Sequence, residues 1–149
     1  MADVPELEKM VMELRDFEAI KRLKYKYFRC LDQKQWDELA QCFTEDAITS
    51  YSDGKYQLKG KHQIMEFLKK GLGSDSVVAV HHGHHPEIEM VNDTTAKGTW
   101  GLYGHRIDRQ EGTEYIHGAF YHDEYVKVSG EWKIKSTGYT NIFEEIEQR

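Results

Sequence analysis

Four long β-rich segments close this chain, and the turns between them leave little choice of fold. They run from Val77 to Met90, Thr95 to Asp108, Glu114 to Val128 and Trp132 to Phe143. Asn92-Asp93, Gln110-Glu111-Gly112 and Ser129-Gly130 punctuate them as hairpin turns. The residues before Val77 carry helical spacing instead. Helices first and antiparallel strands after argue for an α+β fold. The expected architecture is a cone-shaped roll: three to four helices packed on a strongly curved, mostly antiparallel sheet, with a cavity between the two layers.

The helical part divides into recognisable pieces. Leu7, Met10, Val11 and Leu14 give residues 1–15 a narrow apolar side, the mark of an N-terminal helical extension that is either separate or continuous with the next helix. Its expected partner is the outer side of the sheet or another subunit. Asp16 reads as an N-cap or first-turn acid for a helix reaching Leu31, with Phe17, Ile20, Leu23, Tyr27 and Leu31 on one stripe. Trp36, Leu39, Ala40 and Phe43 predict a short second helix over Gln35 to Cys42, closed by Thr44-Glu45-Asp46. Ala47 to Tyr51 and Tyr56 to Leu58 form a hairpin about Ser52-Asp53-Gly54-Lys55, and Ile64, Phe67 and Leu68 mark a third helix ending near Gly71. With no linker and no repeat, residues 1–149 are expected to form one domain.

Charge and composition narrow the function classes. Twenty Lys and Arg against 26 Asp and Glu give a net charge of −6, which disfavours nucleic acid, whose phosphates need clustered cations. No run approaches the ~18 apolar residues of a membrane span, and the first residues lack a signal peptide's basic and apolar regions. Cys30 and Cys42 form neither a metal spacing nor a disulfide framework. The expected location is the cytoplasm, and the expected partner is a small molecule rather than a membrane.

Two stretches carry candidate chemistry. Tyr27 and Asp32 bring a phenol and a carboxylate to the inner end of the long helix. Two readings of them stand: a pocket pair, or a core tyrosine with a capping acid for the helix at Trp36. Asp32 lies roughly 140° around a straight helix from Tyr27, so both serve one pocket only if the helix ends near Leu31. The second stretch, His81-His82-Gly83-His84-His85-Pro86, holds four of eight histidines. Strand alternation sends His81 and His85 one way and His82 and His84 the other, so no face carries three zinc ligands and no metal site is expected. One inward histidine remains, suited to proton transfer near neutral pH.

These residues resemble the SnoaL-like families of the nuclear-transport-factor-two-like superfamily. The resemblance rests on Trp36-Asp37-x-Leu39-x-x-x-Phe43-x-x-Asp46-Ala47, Gly60-x-x-x-Ile64-x-x-Phe67-Leu68 and the histidine strand ending Pro86-x-Ile88. More narrowly, Lys26-Tyr27-Phe28-Arg29-Cys30-Leu31-Asp32, His81-x-Gly83-His84-x-Pro86-Glu87-Ile88 and Gly118-Ala119-Phe120-Tyr121 look like the bile-acid dehydratases of gut bacteria. Fungal scytalone dehydratases are similar in fold. The resemblance implies a catalytic tyrosine at Tyr27, a helix-end aspartate at Asp32 and an active-site histidine at His81. Two family positions differ: an aspartate on the strand after the tryptophan falls on Gly104, and a C-terminal arginine falls on Asn141. His105 and Asn141 are therefore possible additional site residues, although alternation turns His105 away from the face of Gly104.

The residues and the resemblance together lead to the expectation of a dehydratase. Such a lyase would act by general acid–base chemistry on a hydroxylated cyclic carbonyl compound, steroid-like, polyketide-like or aromatic, with no cofactor. His81 would be the base, Asp32 its orienting partner, and Tyr27 the donor to the carbonyl where enolate charge develops. Phe28, Trp36, Tyr51, Trp100, Phe120 and Tyr139 are the candidate substrate walls. A ketosteroid-isomerase- or polyketide-cyclase-like enzyme, or a non-catalytic binding domain, are the alternatives. Tyr115, His117, Tyr121 and Tyr125 are read as an aromatic stripe on the outer face, supporting a homo-oligomer, with a trimer favoured by the resemblance over a dimer.

Overall fold

The computed structural model describes residues 1–149. The first element is one continuous helix, α1 (Val4–Asp32), so the N-terminal extension and the tyrosine helix are a single rod. Its true N-cap is Asp3, not Asp16. Asp3 and Glu6 form a reciprocal capping box, and Pro5 sits in the first turn, where its missing N–H costs nothing. Asp16 faces sideways and accepts from the Trp132 indole and the Lys127 ammonium, both at 2.9 Å. The first half of α1 stays exposed, whereas Ile20, Leu23, Tyr27, Phe28, Cys30 and Leu31 are buried.

Helix α2 (Trp36–Ala40) is shorter than its spacing suggested, because β1 (Phe43–Tyr51) starts where the helix was expected to close. Strand β2 (Tyr56–Lys59) pairs back on β1, and α3 (Lys61–Leu72) follows, burying Ile64, Met65 and Leu68. The strands β3 (Val77–Asn92), β4 (Thr95–Asp108), β5 (Thr113–Val128) and β6 (Glu131–Gln148) complete one six-stranded sheet in the order β2-β1-β6-β5-β4-β3. All neighbours are antiparallel except β1 and β6. The fold is thus the α+β roll, with three helices on the concave face of a mostly antiparallel sheet. No helix is long and apolar enough to cross a membrane.

Two irregularities aim side chains. In β3, three steps from His84 to Glu87 oppose two steps from Gly101 to Thr99, and His85 takes a positive φ of 47° there. This bulge leaves His85 exposed rather than beside His81, and returns Ile88 and Met90 to the core. In β6, Ile142 is the extra residue, since Gly118 pairs with Phe143 and Ala119 with Asn141.

The aromatic stripe on β5 points the opposite way from the expectation. Tyr121, Tyr125 and His117 are buried on the concave side, while Phe120, His122 and Glu124 are exposed. The cause is Asp123, an acid on the inner face. Lys24, wholly buried, reaches it from α1 at 2.8 Å, and Thr137 and Tyr125 donate to it at 2.6 and 2.7 Å. A charge on that face is tolerable only because it is paired and hydrogen-bonded.

Candidate active site

The end of α1 delivers Asp32 to the edge of the sheet. The helix stops at Gln33, so the carboxylate leaves the rod at its last residue and meets β3, the outermost strand. There the His81 amide is free of the ladder and donates to Asp32 Oδ2 at 2.9 Å, while Oδ1 lies 2.6 Å from His81 Nδ1. A carboxylate only accepts, so Nδ1 carries a proton toward Asp32, and the tautomer this selects has Nε2 as its bare nitrogen. Lys34 closes the same edge by donating to the Ser74 and Val77 carbonyls at 2.6 and 2.7 Å.

A cavity of about 430 Å³ opens between this edge, α1, α3 and the concave sheet. Tyr27 and His81 both line it, and Asp32 stands behind His81 rather than on the wall. The 140° separation therefore serves the arrangement: the phenol turns inward while the carboxylate reaches the edge strand. The Tyr27 and Tyr51 hydroxyls share a hydrogen bond at 3.1 Å, and Tyr121 and Tyr139 pack beside them. Burial pushes the Tyr27, Tyr51 and Tyr121 hydroxyls well above the ordinary phenol value, so they stay protonated and can donate. The Lys24 ammonium lies under this floor, 3.7 Å from the Tyr121 ring centroid and 4.5 Å from that of Tyr27.

Across the sheet, His81 on β3 pairs with Gly104 on β4, which pairs with His117 on β5. Directly opposed residues of antiparallel strands share a face, so the two imidazoles flank a glycine on the cavity wall. His117 leans into the space that glycine leaves. A β-carbon at position 104 would sit 2.2 Å from His117 Nε2. The residue that sequence reasoning missed thus occupies the place where a side chain from position 104 would stand.

Asn141 fixes the His117 tautomer. Its backbone N–H donates to Asp53 Oδ1 at 3.0 Å, and its Nδ2 donates to Asp53 Oδ2 at 3.3 Å. The amide oxygen therefore faces His117 and accepts from Nδ1 at 2.9 Å, leaving Nε2 bare over Gly104. The Ile142 bulge makes this reach possible, because it puts Asn141 behind His117, off the cavity wall, and Glu144 on the wall itself. Burial lowers the His117 pKa below its ordinary 6.5, the Asn141 hydrogen bond opposes that, and the neighbouring His81 lowers it further.

The remaining candidates separate clearly. Tyr51 and Tyr139 line the cavity. Phe28 is instead core, its ring seated on Gly83 and edge-on to Trp100 and Tyr121. Trp100 is buried with its indole N–H donating to Tyr125 at 3.0 Å. Trp36 packs against the core from outside the cavity, and Phe120 is 46% exposed on the convex face. None of these four lines the cavity. His105 borders it, but alternation carries its imidazole to the other side of β4, where it pairs with Glu114.

The family profile described as a SnoaL-like domain matches residues 12–138. An uncharacterised protein of Mycobacterium tuberculosis is 27% identical over 144 residues, spanning 91% of this chain and 92% of its own. Among solved structures, a scytalone dehydratase-like protein of Novosphingobium aromaticivorans superposes with a TM-score of 0.84 at 26% identity, covering 91% of this chain and 90% of that one. A hexachlorocyclohexane dehydrochlorinase of Novosphingobium barchaimii has a TM-score of 0.81 at 18% identity, covering 92% and 93%; at that identity it shows a shared fold.

Proposed function

This chain belongs to the SnoaL-like domain family, and on that premise we propose that its cavity is the active site of a dehydratase working by acid–base chemistry on a hydroxylated cyclic carbonyl compound. The observation that carries the reading is the row His81–Gly104–His117, two imidazoles on one cavity-facing row with His117 leaning over the glycine, beside a floor of neutral tyrosines.

His81 removes the proton from the carbon next to the carbonyl, or conjugated with it. Asp32 holds the ring in the reactive tautomer and stabilises the imidazolium that forms, without taking the proton itself. Negative charge moves to the carbonyl oxygen, where Tyr27 donates while its own oxygen accepts from the Tyr51 hydroxyl. This donor is held in place by its hydrogen bond with Tyr51 before the charge develops. The hydroxyl then leaves as water with a proton from protonated His117. A depressed pKa makes that imidazolium a strong acid but a scarce one at neutral pH, so elimination is expected to be fastest on the acid side of neutrality. The proton gained by His81 and the one lost by His117 return through solvent. Every step uses the chain's own groups, and the two buried free cysteines fit work in the cytoplasm.

The scarcity of protonated His117 also favours a second reading. An enzyme that moves the proton from carbon to carbon without losing water needs His81, Asp32 and the tyrosines but no leaving-group acid. The assay that separates them offers β-hydroxy ketones and hydroxysteroid enones to the wild type and to His117→Ala, with conjugated product followed by ultraviolet absorbance. Product lost with His117→Ala is the dehydratase result. Isomerised substrate with an indifferent His117 gives the isomerase. A bound ligand left unchanged by both proteins contradicts both enzymes and leaves a binding domain.

A further inference from the structure

The row outside the two histidines is Ala79, Arg106, Tyr115 and Ile146, in register across β3, β4, β5 and β6. Arg106 lines the cavity with its guanidinium carbon 5.8 Å from the Tyr115 ring centroid. Lys55 lines it from the β1–β2 turn, with Nζ 5.2 Å from the Tyr56 ring centroid. Neither cation takes part in any of the molecule's ion pairs. The carboxylate lining the cavity, Glu144, is occupied by the Tyr115 hydroxyl at 2.8 Å. In a chain of net charge −6, two cations outside any ion pair against one carboxylate leave the cavity lining with a formal excess of one positive charge.

We infer that the substrate carries a carboxylate, read by Arg106 with Lys55 at the cavity mouth, and this rests on the acid–base reading of the same cavity. Arg106 is two residues along β4 from Gly104, so the anionic group would sit about 7 Å along the strand from the reacting carbon. A guanidinium matches a carboxylate bidentately, and a ring-stacked, half-buried one has lost rotamer freedom in advance. The ligand class is therefore a cyclic hydroxy-carbonyl acid, bound ring-first with its carboxylate toward solvent.

The test is calorimetric titration of the whole chain with 2-naphthoate and its neutral counterpart 2-naphthamide. The wild type is expected to prefer the anion by about tenfold or more, with a preference that shrinks as salt rises. Arg106→Gln is expected to abolish most of it, Arg106→Lys to keep part, and Lys55→Gln to reduce it, with unfolding midpoints unchanged because neither side chain is core. Equal affinity for the two probes, binding of neither, or a preference surviving the Arg106→Gln/Lys55→Gln double variant overturns the inference. The titration reads binding alone. Its failure leaves the elimination assay standing, and absence of turnover with an intact preference removes the dehydratase while keeping the anion site.

Discussion

Adding one methyl group at Gly104 tests whether His117 occupies the glycine's space. The new β-carbon of Gly104→Ala would lie 2.2 Å from His117 Nε2 and 2.5 Å from Cδ2, where non-bonded carbons settle at about 3.5–4.0 Å. The ring must retreat by roughly 1 Å or more, and it has little freedom to do so. Nδ1 is tied to Asn141 at 2.9 Å, and the Tyr115 and Tyr139 rings stand 5.0 and 5.2 Å away. Overpacking of this kind costs about 1–3 kcal/mol, and losing the Asn141 bond adds about 1 kcal/mol. The reduced freedom of the unfolded chain returns about 0.4–1 kcal/mol, so the net loss should be about 1–3.6 kcal/mol. In a His117→Ala background the clash is gone, and the same methyl should be neutral or slightly stabilising. Urea unfolding of the four proteins gives the coupling directly. Equal effects of Gly104→Ala in both backgrounds, or none in either, would refute the placement of His117.

The geometry fixes three further outcomes. Lys24→Met leaves Asp123 buried without its cation and is expected to cost about 3–5 kcal/mol by urea unfolding, with Lys24→Met/Asp123→Leu losing less than Lys24→Met alone. Burial holds the His117 pKa below 6.5, so below that pH the unfolded chain binds more protons than the folded one. The stabilisation is then full above pH 6.5 and lost as pH falls through the folded value, and His117→Gln should flatten stability measured over that window. Tyr103, Phe120, Ile142 and Phe143 are exposed on the convex side of the sheet, and we propose this patch, in place of the β5 stripe, as the surface for a homo-oligomer. Sedimentation should give more than one chain per particle, shifted toward monomer by Phe120→Glu, and a wild-type monomer at micromolar concentration would contradict it.

Local chemistry made most of the fold legible. The turn residues at Asn92-Asp93 and Gln110-Glu111-Gly112 delimit β4 at both ends, and helical spacing found the buried side of α1. The long helix was harder to see as one piece. Its first half has no core to bury, and its cap is a pair of acids, Asp3 and Glu6, rather than a break at Asp16. Tyr27, Asp32 and His81 were visible because each breaks its local pattern. His117 was not, because β5 carries polar groups on both faces. Asp123 disguises the inner one, and its cation comes from α1. A usable signal did exist: the Gln110–Gly112 turn fixes the β4–β5 register, and counting back from it sets His117 opposite Gly104. The Ile142 bulge, which re-aims Asn141 and Glu144, had no local signature, since it is set by pairing with β5.

In the proposed mechanism His81, oriented by Asp32, takes a proton from carbon. Wild type, His81→Gln and Asp32→Asn are incubated in heavy water with the hydroxy-ketone panel, and deuterium gained beside the carbonyl is tracked by mass spectrometry. Uptake is expected with the wild type, slowed about 10²-fold or more by His81→Gln and clearly slowed by Asp32→Asn. Uptake no faster than in buffer for every bound ligand, or undiminished in His81→Gln, would contradict it.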